Sequence, residues 1–275
     1  VVFALGVLGA RDMAFLWDQM VKSCEGTRTV PAGDTACGFA NTAMVLAEQN
    51  MIPRLFAAVV RVASAPRSLV AYEAGARGPG KDCGYEGPYM KALAGVPISM
   101  EGRTAACAHL SPVGNISQAV CDAWSNESVQ NVQMLSGRAP VVSLEQLVYD
   151  CRLMNVASAA SAEDALRLRD WLTESDAGLD PQAWVLRPAV VRRVSARLAG
   201  EDQAYPRTRT AVIAALEELQ RAHGEGLLKL PEREVPWLDL LGDQAAALPA
   251  DEGDFIDQMF GRPEAERFLP AEYGL

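Results

Sequence analysis

The sequence is short of cysteine and histidine and has no excess of basic residues. Six cysteines in 275 residues are too sparse for a disulfide scaffold. No secretory signal accompanies them, so they are expected as reduced thiols in a cytoplasmic protein. A net charge of −10 and a pI near 4.8 argue against nucleic acid or an anionic membrane as the main partner, because phosphate binding needs a basic face. No run of about 20 apolar residues is present, so no membrane span is expected. The Gly-x-Ser-x-Gly elbow of serine hydrolases is missing, and so are a P-loop and a dinucleotide fingerprint. The segment 75–80 is Gly-rich but carries Pro79 where a phosphate-binding helix would begin. There is no internal repeat, coiled-coil heptad or low-complexity tract. The sequons at Asn115 and Asn126 read as chance matches.

What remains is an ordinary globular composition, 49% hydrophobic and 22% charged, long enough for one large domain or for one domain with an appendage. Five short apolar runs, at 2–8, 29–32, 68–72, 97–100 and 140–143, alternate with helix-like stretches at 11–25, 38–64 (broken at Pro53), 88–93 and 111–135. Irregular polarity in the short runs suits strands buried on both faces of a parallel sheet, and the alternation predicts an α/β fold. Acids follow four of the five runs, namely Asp34, Glu73, Glu101 and Glu145. At strand ends they would ring an active-site mouth, and at helix starts they would answer the macrodipole. After residue 158 the pattern is helical only, with a cap at Ser161 and helices expected to about 175, over 181–200 and over 206–224. The division expected is 1–157 for the α/β part and 158–275 for a helical extension. The apolar start at Val1, with no initiator Met and no basic flank, reads as the edge of a fragment.

Two cysteines stand apart. Cys37, in Gly33-Asp34-Thr35-Ala36-Cys37-Gly38, and Cys83, in Gly80-Lys81-Asp82-Cys83-Gly84, each sit on a loop between an apolar run and a helix-like stretch. Each is followed by Gly and preceded closely by an Asp. Two such thiolates can hold one borderline metal, zinc first among them, or they are ordinary loop thiols. Cys24, Cys121 and Cys151 lie inside helical patterns and read as structural. Cys107 is a ligand or a pocket wall, and its small apolar neighbours favour the wall. His109 is a general acid or base, an orienting group, or a satisfied structural histidine. His223, at a helix C-terminal end, suits the dipole.

The long motifs resemble a known family. Ala32 to Cys37 with Asn41-Thr42-Ala43-Met44, Ser64 to Gly75, Gly78 to Glu86, Met100-Glu101-Gly102, Cys107-Ala108-His109, Trp124 to Val129 and Tyr149-Asp150-Cys151 are similar to the zinc-binding, methanol-activating B subunit of methanol:corrinoid methyltransferase, and the C-terminal segment 270–275 continues the likeness. The resemblance implies the C-terminal part of a TIM-type (β/α)8 barrel, with about five strands here, followed by the helical extension. It implies zinc held by Cys37 and Cys83, with a third ligand, a Glu, upstream of this chain. It further implies transfer of the methyl group of methanol to the Co(I) corrinoid (cobamide) of a partner protein. Asp34, Asp82, Glu101 and His109 are then candidates to orient ligands or handle the proton. Glu73, Tyr85, Tyr89 and Cys107 are candidates for the substrate pocket or the partner surface. A related zinc barrel using another methyl donor, or a non-catalytic fragment with an incomplete zinc site, are the competing expectations. An open five-stranded barrel would expose sheet edges, so association into an oligomer is expected.

Overall fold

Around one helix, residues Arg54–Glu73, most of the chain is packed. The computed structural model describes residues 1–32, 38–77, 80–82, 86–96, 98–100, 113–116, 119, 141–262 and 269–275. A π-helical turn, Phe3–Leu8, runs into α1, Gly9–Cys24. Then come α2 (Gly38–Glu48), α3 (Arg54–Glu73), β1 (Gly80–Asp82), α4 (Gly87–Ala94) and β2 (Ile98–Met100). The helical remainder is α5 (Val141–Ala160), α6 (Ala162–Ala177), α7 (Pro181–Val185), α8 (Pro188–Leu198), α9 (Ala204–Gly224), α10 (Pro236–Ala246), α11 (Glu252–Phe260) and a 3-10 turn, Pro270–Tyr273.

The expected partial barrel is not formed by the described residues. Their only sheet is a parallel pair, β1 beside β2, with Gly80, Lys81 and Asp82 registered on Ile98, Ser99 and Met100. Of the five expected strands, the fourth is realised as β2. Run 2–8 is helical, run 29–32 has no regular structure, run 68–72 is the end of α3, and 141–143 opens α5. The physical reason is that a short apolar run buried on all sides has the same polarity pattern whether it is strand or helix. The expected helices fared better. The break at Pro53 separates α2 from α3, and Ser161 caps α6 by accepting from the Asp164 amide at 2.9 Å. The segment 111–135 falls largely outside the described residues.

α3 explains why the rest gathers where it does. Its Leu55, Ala57, Ala58, Val59, Val60, Val62, Ala63 and Ala65 are all buried, so it is apolar nearly all round. Each buried Val contributes about 1.5–3 kcal/mol, and the alanines let neighbours approach closely. α1, α2, α4, α7 and α9 all pack against it. Among the described residues it is the one helix long and apolar enough to cross a membrane, but 72% of that stretch is buried within the protein. Pro66, inside it, removes one backbone bond without ending it.

Elsewhere, Phe255 of α11 meets Phe3 edge-on at 5.9 Å and stacks on Tyr205 of α9 at 4.9 Å, tying the C-terminal helices to the first turn. On α9, Glu218 takes both nitrogens of a forked contact from Arg193 of α8, each at 2.7 Å, and a further bond from Arg221. Burial alone would raise the Glu218 pKa, but the hydrogen bonds and charges of Arg193 and then Arg221 outweigh it and hold the carboxyl below its ordinary value.

Substitutions at two glycines and at Glu218 test this packing. A Cβ at Gly6 would fall 2.8 Å from Thr208 Cβ, closer than packing allows. Gly6→Ala should therefore destabilise by about 1–3 kcal/mol in chemical denaturation. At Gly224 a Cβ meets nothing within 4 Å, so Gly224→Ala should be neutral or stabilise by up to about 1 kcal/mol. A depressed carboxylate gives stability that is present above its unfolded pKa and lost as pH falls through the lower folded one. Melting temperature should drop as pH falls below about 4.5, and Glu218→Gln should lower it at neutral pH while flattening that acid limb.

Candidate metal site

Asp34, Cys37, Cys83, Tyr85, Glu101, Cys107 and His109 lie outside the described residues, and Asp82 is described as the last residue of β1. The described elements next to the two cysteines do have a defined relation. α2 and α3 form a helical hairpin across the short link 49–53, so they run antiparallel. Arg61 Nη2 of α3 donates to Met44 Sδ of α2, which places those two residues opposite each other. Both helices rise about 1.5 Å per residue. Gly38 opens α2, and Cys37 directly precedes it in the sequence.

The residue that precedes α4 is also bonded to α3. Ser68 is fully buried on α3, and its hydroxyl donates to Glu86 Oε1 at 2.5 Å. Glu86 is 1% exposed and follows Cys83 by three residues, immediately before α4. On the other side of Cys83, Asp82 is held in register with Met100. In the sequence Cys83 and Glu101 follow the ends of these two paired strands, and α2 and α4, which follow Cys37 and Cys83, both pack on α3. Two cysteines with carboxylates close to them in sequence are a donor set suited to zinc. Among the described residues, no group of three or more His, Cys, Asp or Glu side chains is arranged to hold a metal ion.

Two candidates have defined surroundings. Glu73, at the end of α3, accepts from Arg207 of α9 at 2.9 Å while its own side chain is half exposed, so it joins two helices. Tyr89 is fully buried, and its hydroxyl donates to the Val185 carbonyl at 2.6 Å. Burial pushes its phenol well above the ordinary value, with Glu218 adding to the rise and Arg193 opposing it. It fixes α4 within the core rather than facing a partner. His223 lies 3.3 Å from the Leu228 carbonyl through Nδ1, in the last turn of α9, as a structural histidine would. Cys24 and Cys151 are free thiols.

Ser68 and Glu86 are the residues the sequence reading missed. A signal was available. Arg61, Ser64, Ser68 and Tyr72 recur at helical spacing through an apolar run, which marks a polar stripe on an otherwise buried helix. The stripe is satisfied within the core. Arg61 Nε donates to Gln182 Oε1 at 2.9 Å, and Ser64 donates to the Val60 carbonyl at 2.8 Å. A separate groove of about 1150 Å³ lies between α4, α5, α6 and α8. Its described lining holds none of the candidate residues. Of its charges, Arg187 is paired with Glu174 and stacks on Trp184 at 4.6 Å, and Arg169 is paired with Asp170.

A family model for the methanol-cobalamin methyltransferase B subunit (MtaB) matches residues 1–274. A methanol–corrinoid protein co-methyltransferase of Methanosarcina barkeri (strain Fusaro / DSM 804) is 38% identical over 279 residues, which cover 99% of this chain and 60% of that protein. The crystal structure of the methanol:cobalamin methyltransferase complex MtaBC from Methanosarcina barkeri matches with a TM-score of 0.86 and 38% identity, over 100% of this chain and 60% of that one. This chain thus spans 60% of the length of these relatives. With the family model matching residues 1–274, the chain belongs to the methanol-cobalamin methyltransferase B subunit family.

Proposed function

We propose that this chain carries the metal-site loops of a methyltransferase that moves the methyl group of methanol to the Co(I) corrinoid of a partner protein. The observation that carries the reading is the match over 99% of the chain to a relative of that activity. The packing of both α2 and α4, which follow the two cysteines in the sequence, on α3 supports it. Residues 1–157 are the part bearing the site and 158–275 the helical part that buttresses it.

In this reading Cys37 and Cys83 give two thiolates to zinc. When bound, zinc supplies Lewis acidity that draws charge from the alcohol oxygen as its bond to carbon breaks. The methyl group passes to the cobalt of the partner, using the electron pair of Co(I), and the oxygen leaves as water after taking a proton. Asp34, Asp82, Glu101 and His109 are placed by the sequence to orient the thiolates or deliver that proton. Tyr85 and Cys107 are proposed to face the substrate or the corrinoid-carrying subunit. Packing against α3 holds the starts of α2 and α4 rigid, as positioning of reacting groups demands.

In the protein that carries this sequence, Cys37→Ser and Cys83→Ser should each remove bound zinc by metal analysis. Each should also lower methanol-dependent methylation of a corrinoid protein by more than the roughly hundredfold that loss of an outer partner costs. Parallel assays with methylamines and methylthiols check the donor. Methyl transfer from one of these, with none from methanol, would reject the substrate assignment. An unaltered zinc content in both variants would reject the site.

A further inference from the structure

We propose that the groove between α4, α5, α6 and α8 is a binding site for a small anionic amphiphile, an acid head on an apolar body. Its described lining holds no candidate for the metal site, so it stands or falls apart from the methyl-transfer reading.

The groove arises from how four helices pair. α5 packs on α6, α4 packs on α8, and small residues, Ala92, Ala165 and Ala189, line the space between the pairs. The volume is about 1150 Å³, somewhat above the roughly 300–1000 Å³ of most ligand pockets. Its floor is apolar and already enclosed. Ile116, Met154, Leu186 and Val191 line it and are each at most 4% exposed. Water against such a floor gains little, and a hydrocarbon body that displaces it is favoured in proportion to the area covered.

The charges on the walls decide the head group. Four cations, Lys91, Arg169, Arg187 and Arg192, are accompanied by two acids, Asp170 and Glu174. Arg187 pairs with Glu174 and stacks on Trp184, and Arg169 pairs with Asp170, so both acids are taken up. Lys91 and Arg192 are the excess. The groove is thus positive by two within a chain whose net charge is −10. Burial pulls the Lys91 ammonium below its ordinary value. Its side chain therefore stands partly out of water, where an opposite charge counts for more than at an open surface. An anion offsets that cost. A neutral ligand leaves the excess charge uncompensated, and a cationic one is repelled.

The test uses the protein that carries this sequence, with octanoate, decanoate and dodecanoate as probes and isothermal titration calorimetry as the readout. One acid should bind per chain, and each added methylene should tighten binding about threefold. Decanol, with the same body as decanoate and no charge, should bind about tenfold more weakly, and added salt should narrow that gap. Arg192→Glu should weaken decanoate about tenfold, and Arg192→Lys should hold it within about twofold. Ala165→Trp, which fills the groove from α6, should abolish binding, with circular dichroism and melting used to verify folding. No binding to the unsubstituted protein would overturn the site, and so would an affinity unchanged in both Arg192→Glu and folded Ala165→Trp. Decanol bound as tightly as decanoate would overturn the anionic head. Should Ala165→Trp fail to fold, Arg192→Glu against Arg192→Lys decides alone.

Discussion

Near-complete burial of α3 is the constraint on which the other features depend. A helix enclosed by α1, α2, α4, α7 and α9 has no water to satisfy its polar side chains. Each polar group it carries must find a partner in the protein, because an unsatisfied buried donor costs about as much as several good contacts contribute. Arg61 meets this demand through Gln182, and Ser68 through Glu86. These two bonds join α3 to α7 on one side and to the start of α4 on the other. At its beginning α3 is held again, by Arg54 on the buried Asp180 at 3.1 Å and by Glu234 on the Leu55 amide at 3.1 Å. Burial pushes the Asp180 carboxyl up, against the Gln182 amide and the charges of Arg54 and Arg61. That group is kept for what it joins, since its solvation alone opposes folding.

The candidate site follows from the same helix. Loops positioned on a rigid scaffold are where binding groups usually sit. Here the scaffold is a buried helix on which α2 and α4 pack and which is bonded to the residue before α4. The short parallel pair β1–β2 follows it in the sequence, with β2 packed on α4.

Family membership and local geometry contribute different things to the functional reading. The match over residues 1–274 identifies the family. The geometry contributes the surroundings of single residues, which a motif cannot express. Glu73 and Tyr89 illustrate the gap. Both stand within the long motifs, yet Glu73 bonds to Arg207 and Tyr89 is enclosed by the core. Residues retained in one motif can serve chemistry or packing, and their surroundings separate the two.

Some of the fold was readable because its signals are local. Pro53 ended a helix by removing an amide and restricting its neighbour, Ser161 capped one through its hydroxyl, and the polar and apolar periodicity after residue 158 marked α6 to α9. Cys37 and Cys83 stand out in the sequence by their Gly and Asp neighbours and by the length of the motifs that hold them. Runs 2–8, 68–72 and 140–143 were misread as strands because an apolar segment buried on all sides has no distinguishing period. The choice between helix and strand there was made by the neighbours available to bury it. The Ser68–Glu86 bond was unreadable for a related reason. It joins residues eighteen positions apart, from different elements, and exists only because α4 folds back on α3. The sequence by itself determined the thiols, the local helix boundaries and the family. Tertiary structure decided which apolar runs became helix and which buried groups bond to one another, because both depend on what surrounds each residue once α3 is enclosed.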